Sequence, residues 1–300
     1  MSSERLWTVA CPIGRNSDMY SALVVGCGGA GCRVVSRICA SFDFPALRIN
    51  VSDADINVVP DSGNTDVGFK GDRDEAYYHA MFIHNEEIVE KIRGHSTIIG
   101  VAALGGGTGA GAIIALAQCA RSLDIPFISV VYMPWKFETE RRSEALKELP
   151  DVQKVSDRMF LMDNESAQEL GETTINMGRA LEGAELLMKH AAVKVAILAE
   201  TTPFLSLMSS RCYTFSYGSE SSLLGSVEQA LAFPLYPTDP VGKKVVICPD
   251  APASDLEREL VVKTVADRTG LCPDFVQGDL EEGNGAFIFL PISCRSPDSS

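Results

Sequence analysis

Three hundred residues, 46% of them hydrophobic and 22% charged, suffice for one large globular domain or two moderate ones. A formal charge of −14 argues against holding nucleic acid or an anionic membrane surface by bulk attraction, yet leaves room for a local basic pocket around one phosphorylated ligand. The opening MSSERLWTVACPIGRNSDMYSALVV has no continuous apolar region ahead of a small-residue cleavage site, so no secretory signal is expected. Nine cysteines are an odd number without a CxxC pair; Cys27, Cys32 and Cys39, within an apolar helix-like stretch, read as buried free thiols, and a cytoplasmic location is the expectation. His79, His84, His95 and His190 are scattered without metal-ligand spacing, so no dedicated metal site is expected.

From Ser21 the pattern reads apolar strand, glycine turn, helix, over SALVVGCGGAGCRVVSRICASF. ALRINVSDAD predicts a second strand, HNEEIVEKIRG an amphipathic helix, STIIGVAAL a buried strand and GAIIALAQCARSLD a helix. IPFISVVYMP and RMFLMDN continue as strands. The alternation predicts an α/β fold with a parallel, Rossmann-like sheet, helices on both faces, and ligand loops at the C-terminal ends of the strands. TTINMGRALEGAELLMKHAAVKVAILAE, apolar at three- and four-residue intervals, predicts a long central helix. Beyond Pro203 come a loop-rich stretch, a strand at Val245–Cys248, a helix over SDLERELVVKTVADRTG with Ser254 as N-cap, and a last strand in GAFIFLPIS. The expected division is a nucleotide-type domain over 1–172, a central helix over 173–199 and a smaller α+β domain over 200–300.

Ser96 to Ala120, STIIGVAALGGGTGAGAIIALAQCA, carries no charge and is long enough to cross a bilayer. Five glycines (Gly105, Gly106, Gly107, Gly109, Gly111) around Thr108 argue against a single helix, each interior glycine costing roughly 0.5–1 kcal/mol against alanine. Two elements joined by a tight loop explain the letters better: a strand over Ile98–Leu104 and a helix from near Ala110. Glycines let backbone N–H groups converge on a ligand, and the following helix N-terminus adds about half a positive charge, so the loop suits phosphate. No transmembrane segment is predicted there. A second glycine loop, GCGGAG at 26–31, fits G-x-G-x-x-G, with Asp53 or Asp55 at about the ~20-residue spacing of a ribose-binding acid. Alone it reads as a dinucleotide site. GGGTGAG has no place in that fingerprint and lacks the lysine of a P-loop.

The pair of loops resembles the tubulin and FtsZ superfamily. ALGGGTGAG resembles its signature phosphate loop, VVGCGGAGCRVV its first nucleotide loop, and MPWKFETERR its segment in which glutamate and arginine reach the ribose and base. The resemblance implies a site for GTP or GDP, with Mg2+ held through the phosphates. Phosphate contacts fall on Gly28, Gly29, Ala30, Gly31, Cys32 and Arg33 and on Gly105, Gly106, Gly107, Thr108, Gly109 and Ala110. Asp53 is kept as a nucleotide-binding candidate from the first-loop spacing, and the resemblance implies that Glu138 and Arg142 contact the ribose and base region. Asn164 and Glu185 read guanine, and Leu181 covers it. A carboxylate such as Glu185 can accept both N1–H and N2–H.

Two departures qualify what the resemblance implies. Cys32 and Arg33 stand where FtsZ usually has an asparagine pair. FtsZ and tubulin also complete hydrolysis in trans, through carboxylates in a loop of the form N-x-D-F-A-D, and nothing here matches it. Between Ala191 and Ser219 the only acid is Glu200, the candidate trans catalytic residue. Losing a positioned acid–base group typically costs about 10²–10⁴ in rate, so hydrolysis is expected to be weak or absent while binding survives. The expected protein is a filament of identical subunits stacked head to tail, with a second FtsZ-like protein or a membrane adaptor as further partners and no nucleic acid. The alternatives are an assembly-dependent GTPase using Glu200 and a non-polymerising regulator of another FtsZ-like filament. An NAD-binding dehydrogenase is the remote reading of the first loop alone.

Overall fold

The computed structural model describes residues 21–63, 65, 68–169, 177–201, 204–236, 240–276 and 285–293. The first half alternates strand and helix as its periodicities dictate. β1 (Ala22–Cys27), buried at every position, runs through a glycine turn into α1 (Gly28–Cys39). β2 (Ala46–Asn50) and the short β3 (Ile56–Asn57) follow. α2 (Arg73–Tyr78), capped by the Asp72 carboxylate, passes through a π-helical turn (His79–Ile83) into α3 (Asn85–Ile92).

β4 (Thr97–Ala103) and α4 (Thr108–Ser122) divide the charge-free stretch. The helix begins two residues earlier than the sequence pattern indicates. Gly107 takes the turn at φ +77°, and its carbonyl accepts the first helical bond from Gly111 N–H. α4 is apolar on nearly every side because it lies between the sheet and α2, α3 and the next helix. Gly111 lets α2 sit against it: a Cβ there would lie 2.6 Å from Arg73 O and Tyr77 N. Among the described residues, no helix is long and apolar enough to cross a membrane.

β5 (Phe127–Met133), α5 (Thr139–Val155), β6 (Arg158–Asp163), the short α6 (Asn164–Glu169) and α7 (Met177–Thr201) complete this half. α7 buries Leu187, Met188, Ala191, Ala192, Val195, Ala196 and Leu198. Together with Val34, Val35 and Ile38 of α1, these fill one face of the sheet, while α4 and its neighbours fill the other. The chain continues through α8 (Phe204–Leu207), β7 (Cys212–Gly218), α9 (Leu223–Ala232), β8 (Lys244–Pro249), α10 (Asp255–Thr269), β9 (Cys272–Phe275) and β10 (Ala286–Pro291). Ser254 caps α10 with a capping box to Glu257, and Gly270 ends it in the left-handed conformation.

Among the described residues, one sheet carries the ten strands, in the order β3-β2-β1-β4-β5-β6-β7-β10-β8-β9. From β3 to β7 the pairs are parallel; β10 runs antiparallel to both β7 and β8. The strands of the last hundred residues therefore extend the nucleotide-type sheet. They join it at a narrow seam, with Met159 opposite Cys212 and Phe160 opposite Tyr213.

Candidate functional site

β1 and β4 are neighbours, so both glycine loops leave the sheet side by side at its C-terminal edge. Gly28 has φ +72°, and a Cβ on it would lie 2.9 Å from Gly109 Cα and N, so the loops touch through bare backbone. α1 and α4 open from these loops with no side-chain cap and no acid in the first turn. Their unpaired N–H groups and positive dipole ends therefore face the same space. Asp72, Ser222 and Ser254 fill this role with a side-chain oxygen at α2, α9 and α10, and α3 and α5, also without a side-chain cap, carry acids in the first turn.

Beside α1 lies a cleft of about 470 Å³, lined by Gly29, Cys32, Arg33, Asp53 and Glu185 together with Ser36, Arg37, Arg48, Asn50 and Ser52. Glu185, buried on α7, is held by Arg33 Nε on Oε1 at 2.5 Å and Arg37 Nε on Oε2 at 3.0 Å. Burial works against the Arg33 charge, but the Glu185 carboxylate outweighs it and raises the guanidinium pKa. A carboxylate has about four lone-pair sites, so two stay open to a ligand. Asp53, left-handed at φ 53°, faces the cleft, while Asp55 is committed to Arg48 through contacts of 3.0 and 3.2 Å. Burial pushes the Cys32 thiol up to about 11, which makes it an inert wall.

A second opening surrounds the other loop, lined by Lys70, Gly71, Gly105, Gly106, Glu140, Arg141 and Glu144. Lys70 and Arg141 supply positive charge there. The Gly105 N–H donates to Glu148 Oε2 at 2.5 Å, and the other oxygen of this buried carboxyl has no hydrogen-bond partner. Burial raises Glu148 to about 7, against the lowering effects of the Gly105 hydrogen bond and the Arg73 charge.

Three further expected residues sit at the ends of β5 and β6. Glu138 accepts from Trp135 N–H at 3.1 Å and pairs with Arg141. Arg142 is turned onto buried Asp163 in a two-pronged pair of 3.0 and 2.6 Å, and also donates to Pro134 O. Its guanidinium thus ties α5 to β6 rather than lining either opening. Asn164 is buried, and its Oδ1 has no hydrogen-bond partner. Leu181 lies on α7 with its side chain outside the described residues. Glu200 lies at the opposite end of α7, where its carboxylate accepts from Ser21 Oγ–H and from Ala22 N–H at the start of β1. Ala30 and Gly31 lie in the first turn of α1 and Ala110 in the first turn of α4. The contributions of Arg37, Arg48, Lys70, Arg141 and Glu148 carried no signal in the sequence, where each is one charge on a helix face, a strand or a loop.

Residues 21–172 match the model of the tubulin/FtsZ family's GTPase domain, half of the chain. The chain belongs to the tubulin/FtsZ family. It is similar to cell division protein FtsZ of Aquifex aeolicus (strain VF5), 26% identical over 196 residues, a match that spans 61% of this chain and 53% of that protein. Among solved structures it resembles an empty FtsZ dimer from M. jannaschii (20% identity, TM-score 0.72, covering 90% of this chain and 87% of that one). It also resembles the GTPγS-bound protofilament of CetZ2 from Haloferax volcanii (19%, TM-score 0.75, 92% and 94%). The tail-truncated TubZ of Clostridium botulinum phage c-st is more distant (16%, TM-score 0.63, 91% and 92%). At these identities the structural likeness speaks for the fold. It extends through the last hundred residues, beyond the family match.

Proposed function

We propose that this chain binds GTP or GDP at the joined loops and assembles head to tail with copies of itself, with hydrolysis weak or absent. The observation that carries the binding is the pair of uncapped helix N-termini on adjacent strands, brought together through Gly28 and Gly109. The diphosphate would take N–H groups from Gly29 to Cys32 and from Gly107 to Gly109, with the Thr108 hydroxyl as a further donor. Mg2+ would be carried on the phosphates, neutralising charge between them. Glu185 and the unpartnered Asn164 Oδ1 are acceptors suited to the N1–H and N2–H of guanine, and Asp53 to a ribose hydroxyl. Self-assembly is supported by the protofilament and dimer among the structural relatives.

Weak hydrolysis is the reading that Glu200 supports. It is the only acid between Ala191 and Ser219, and its carboxylate is already bound to the start of β1. A water-orienting acid for the next subunit must point away from its own subunit, whereas Ser21 and Ala22 hold the Glu200 carboxylate against the start of its own β1. A cytoplasmic scaffold, met by a second FtsZ-like protein or a membrane adaptor, is the role that fits slow turnover. The test is phosphate release from GTP at several protein concentrations, with bound nucleotide identified by chromatography and assembly followed by light scattering. Bound guanine nucleotide, scattering and negligible release is the expected result. Release rising faster than protein concentration would refute the loss of hydrolysis, and an empty protein that fails to take up GTP would refute the binding reading.

A further inference from the structure

Outside both openings, three side chains from two segments meet. Glu75 and His79 are four residues apart, on one face where α2 enters the π-helical turn, and Asp61 comes from the loop after β3. One ligand atom from each lies within 4.8 Å of the others. His79 is 5% exposed and packs beside the Phe69 ring at 5.6 Å. Its buried Nε2 makes no hydrogen bond, although Asp61 Oδ1 is only 3.1 Å away. Glu75 is aimed from both ends: the Asp72 carboxylate caps its N–H, and the Asp61 N–H donates to its Oε1 at 3.0 Å.

We propose that Asp61, Glu75 and His79 form a binding site for a divalent transition-metal ion of the zinc class. A buried imidazole nitrogen without a hydrogen bond is costly unless something else uses its lone pair. A separation of 3.1 Å is what two ligands show when each lies ~2.05 Å from one ion at an angle of about 100°. One imidazole with two carboxylates selects zinc and its first-row neighbours; Mg2+ takes oxygen ligands and keeps its waters. Three protein ligands leave room for water at a fourth position. The ion would pin the loop bearing Asp61 to α2. From there the chain returns over the phosphate loop, where a Cβ on Gly107 would lie 2.8 Å from Gly71 C and 2.9 Å from Asp72 N.

The site stands or falls without the nucleotide. Titration calorimetry of the full chain with Zn2+, in nucleotide-free buffer, is compared between wild type, Asp61→Asn and His79→Gln, with circular dichroism as the folding control. Asp61 has a side chain 85% exposed, so its substitution spares the core and keeps the test valid if His79→Gln fails to fold. Zinc taken up by the exposed thiols of Cys39 and Cys272 is common to all three proteins and subtracts out. The expected result is one Zn2+ site in wild type that weakens roughly 10–100-fold or more in each variant, since even outer-shell partners are worth that much. Co2+ in its place should show visible ligand-field bands that vanish in Asp61→Asn, and Mg2+ should not compete. Superimposable Zn2+ titrations of wild type and Asp61→Asn would overturn the proposal and leave His79 and Asp61 as an ion pair.

Discussion

Glu148→Gln tests the electrostatics beneath the phosphate loop. The Glu148 carboxyl is 3% exposed, one oxygen accepts from Gly105 N–H, and the other has no partner. Burial raises it from its ordinary 4.5 to about 7. At ~1.4 kcal/mol per tenfold change in proton affinity, the folded state pays roughly 3 kcal/mol to keep this group ionised at pH 8. Between pH 4.5 and 7 the folded protein holds a proton that the unfolded chain has released, so this contribution falls as pH rises and is fully restored below the unfolded value. Gln keeps the shape and the acceptor for Gly105 but cannot ionise.

His190 works in the opposite sense. Burial, aided by Lys189, lowers it to about 4, so its contribution is lost as pH falls below the ordinary 6.5. The wild-type curve alone therefore mixes two effects, and the difference between wild type and Glu148→Gln isolates the carboxyl. Urea unfolding at half-unit steps from pH 5 to 8 should show the variant gaining on wild type by roughly 2–3 kcal/mol across the range. Parallel curves would refute the account, because they would mean that Glu148 ionises in the folded state as it does in water.

Arg142→Met should cost about 3–5 kcal/mol, since it strands buried Asp163 without its partner; adding Asp163→Asn should recover much of that in urea unfolding. A large loss of nucleotide affinity with unchanged stability would instead place Arg142 on the ligand. Glu185→Gln should lower affinity for guanine nucleotides about 10–100-fold and improve xanthine nucleotides, whose C2 oxygen accepts where guanine donates, as read by competition binding. Glu200→Gln should leave phosphate release at its wild-type level while weakening the charge-assisted bonds to Ser21 and Ala22 by about 1–2 kcal/mol. Abolished release would make Glu200 a trans catalytic residue.

The strands and loops that hold the phosphate-binding backbone were legible because their information is local. An apolar run, a glycine cluster and a helical period name β1, β4, α1 and α4 without reference to anything distant. α5 was harder: its first turns read as a charge run, because Ala145, Leu149 and Val152 are the few apolar anchors among exposed charged positions. The joining of the last strands to the same sheet was not readable either, since it depends on two residue pairs separated by some fifty positions. Individual side-chain roles were the least legible. Arg142 and Glu138 keep their order in the chain, yet Arg142 spends its guanidinium on Asp163, a partner that no spacing rule selects. Glu148, and the meeting of Asp61 with His79, arise from packing across different elements.

α7 grips the β1–α1 unit at both ends: Glu185 holds α1 through Arg33 and Arg37, and Glu200, about 22 Å further along the helix, holds the start of β1. Strand, loop and two helices thus form a closed truss. The second loop belongs to another framework, with Gly105 fastened to Glu148 of α5 and Gly107 resting on the entry to α2. A diphosphate bound across Gly28 and Gly109, as proposed, would span the joint between these two frameworks. If it binds as proposed it would act there as a shim, and its thickness, two phosphates or three, would bear on how the truss is seated. Any such tilt would then reach the far face at Ser21 along α7, whose two ends already hold this unit.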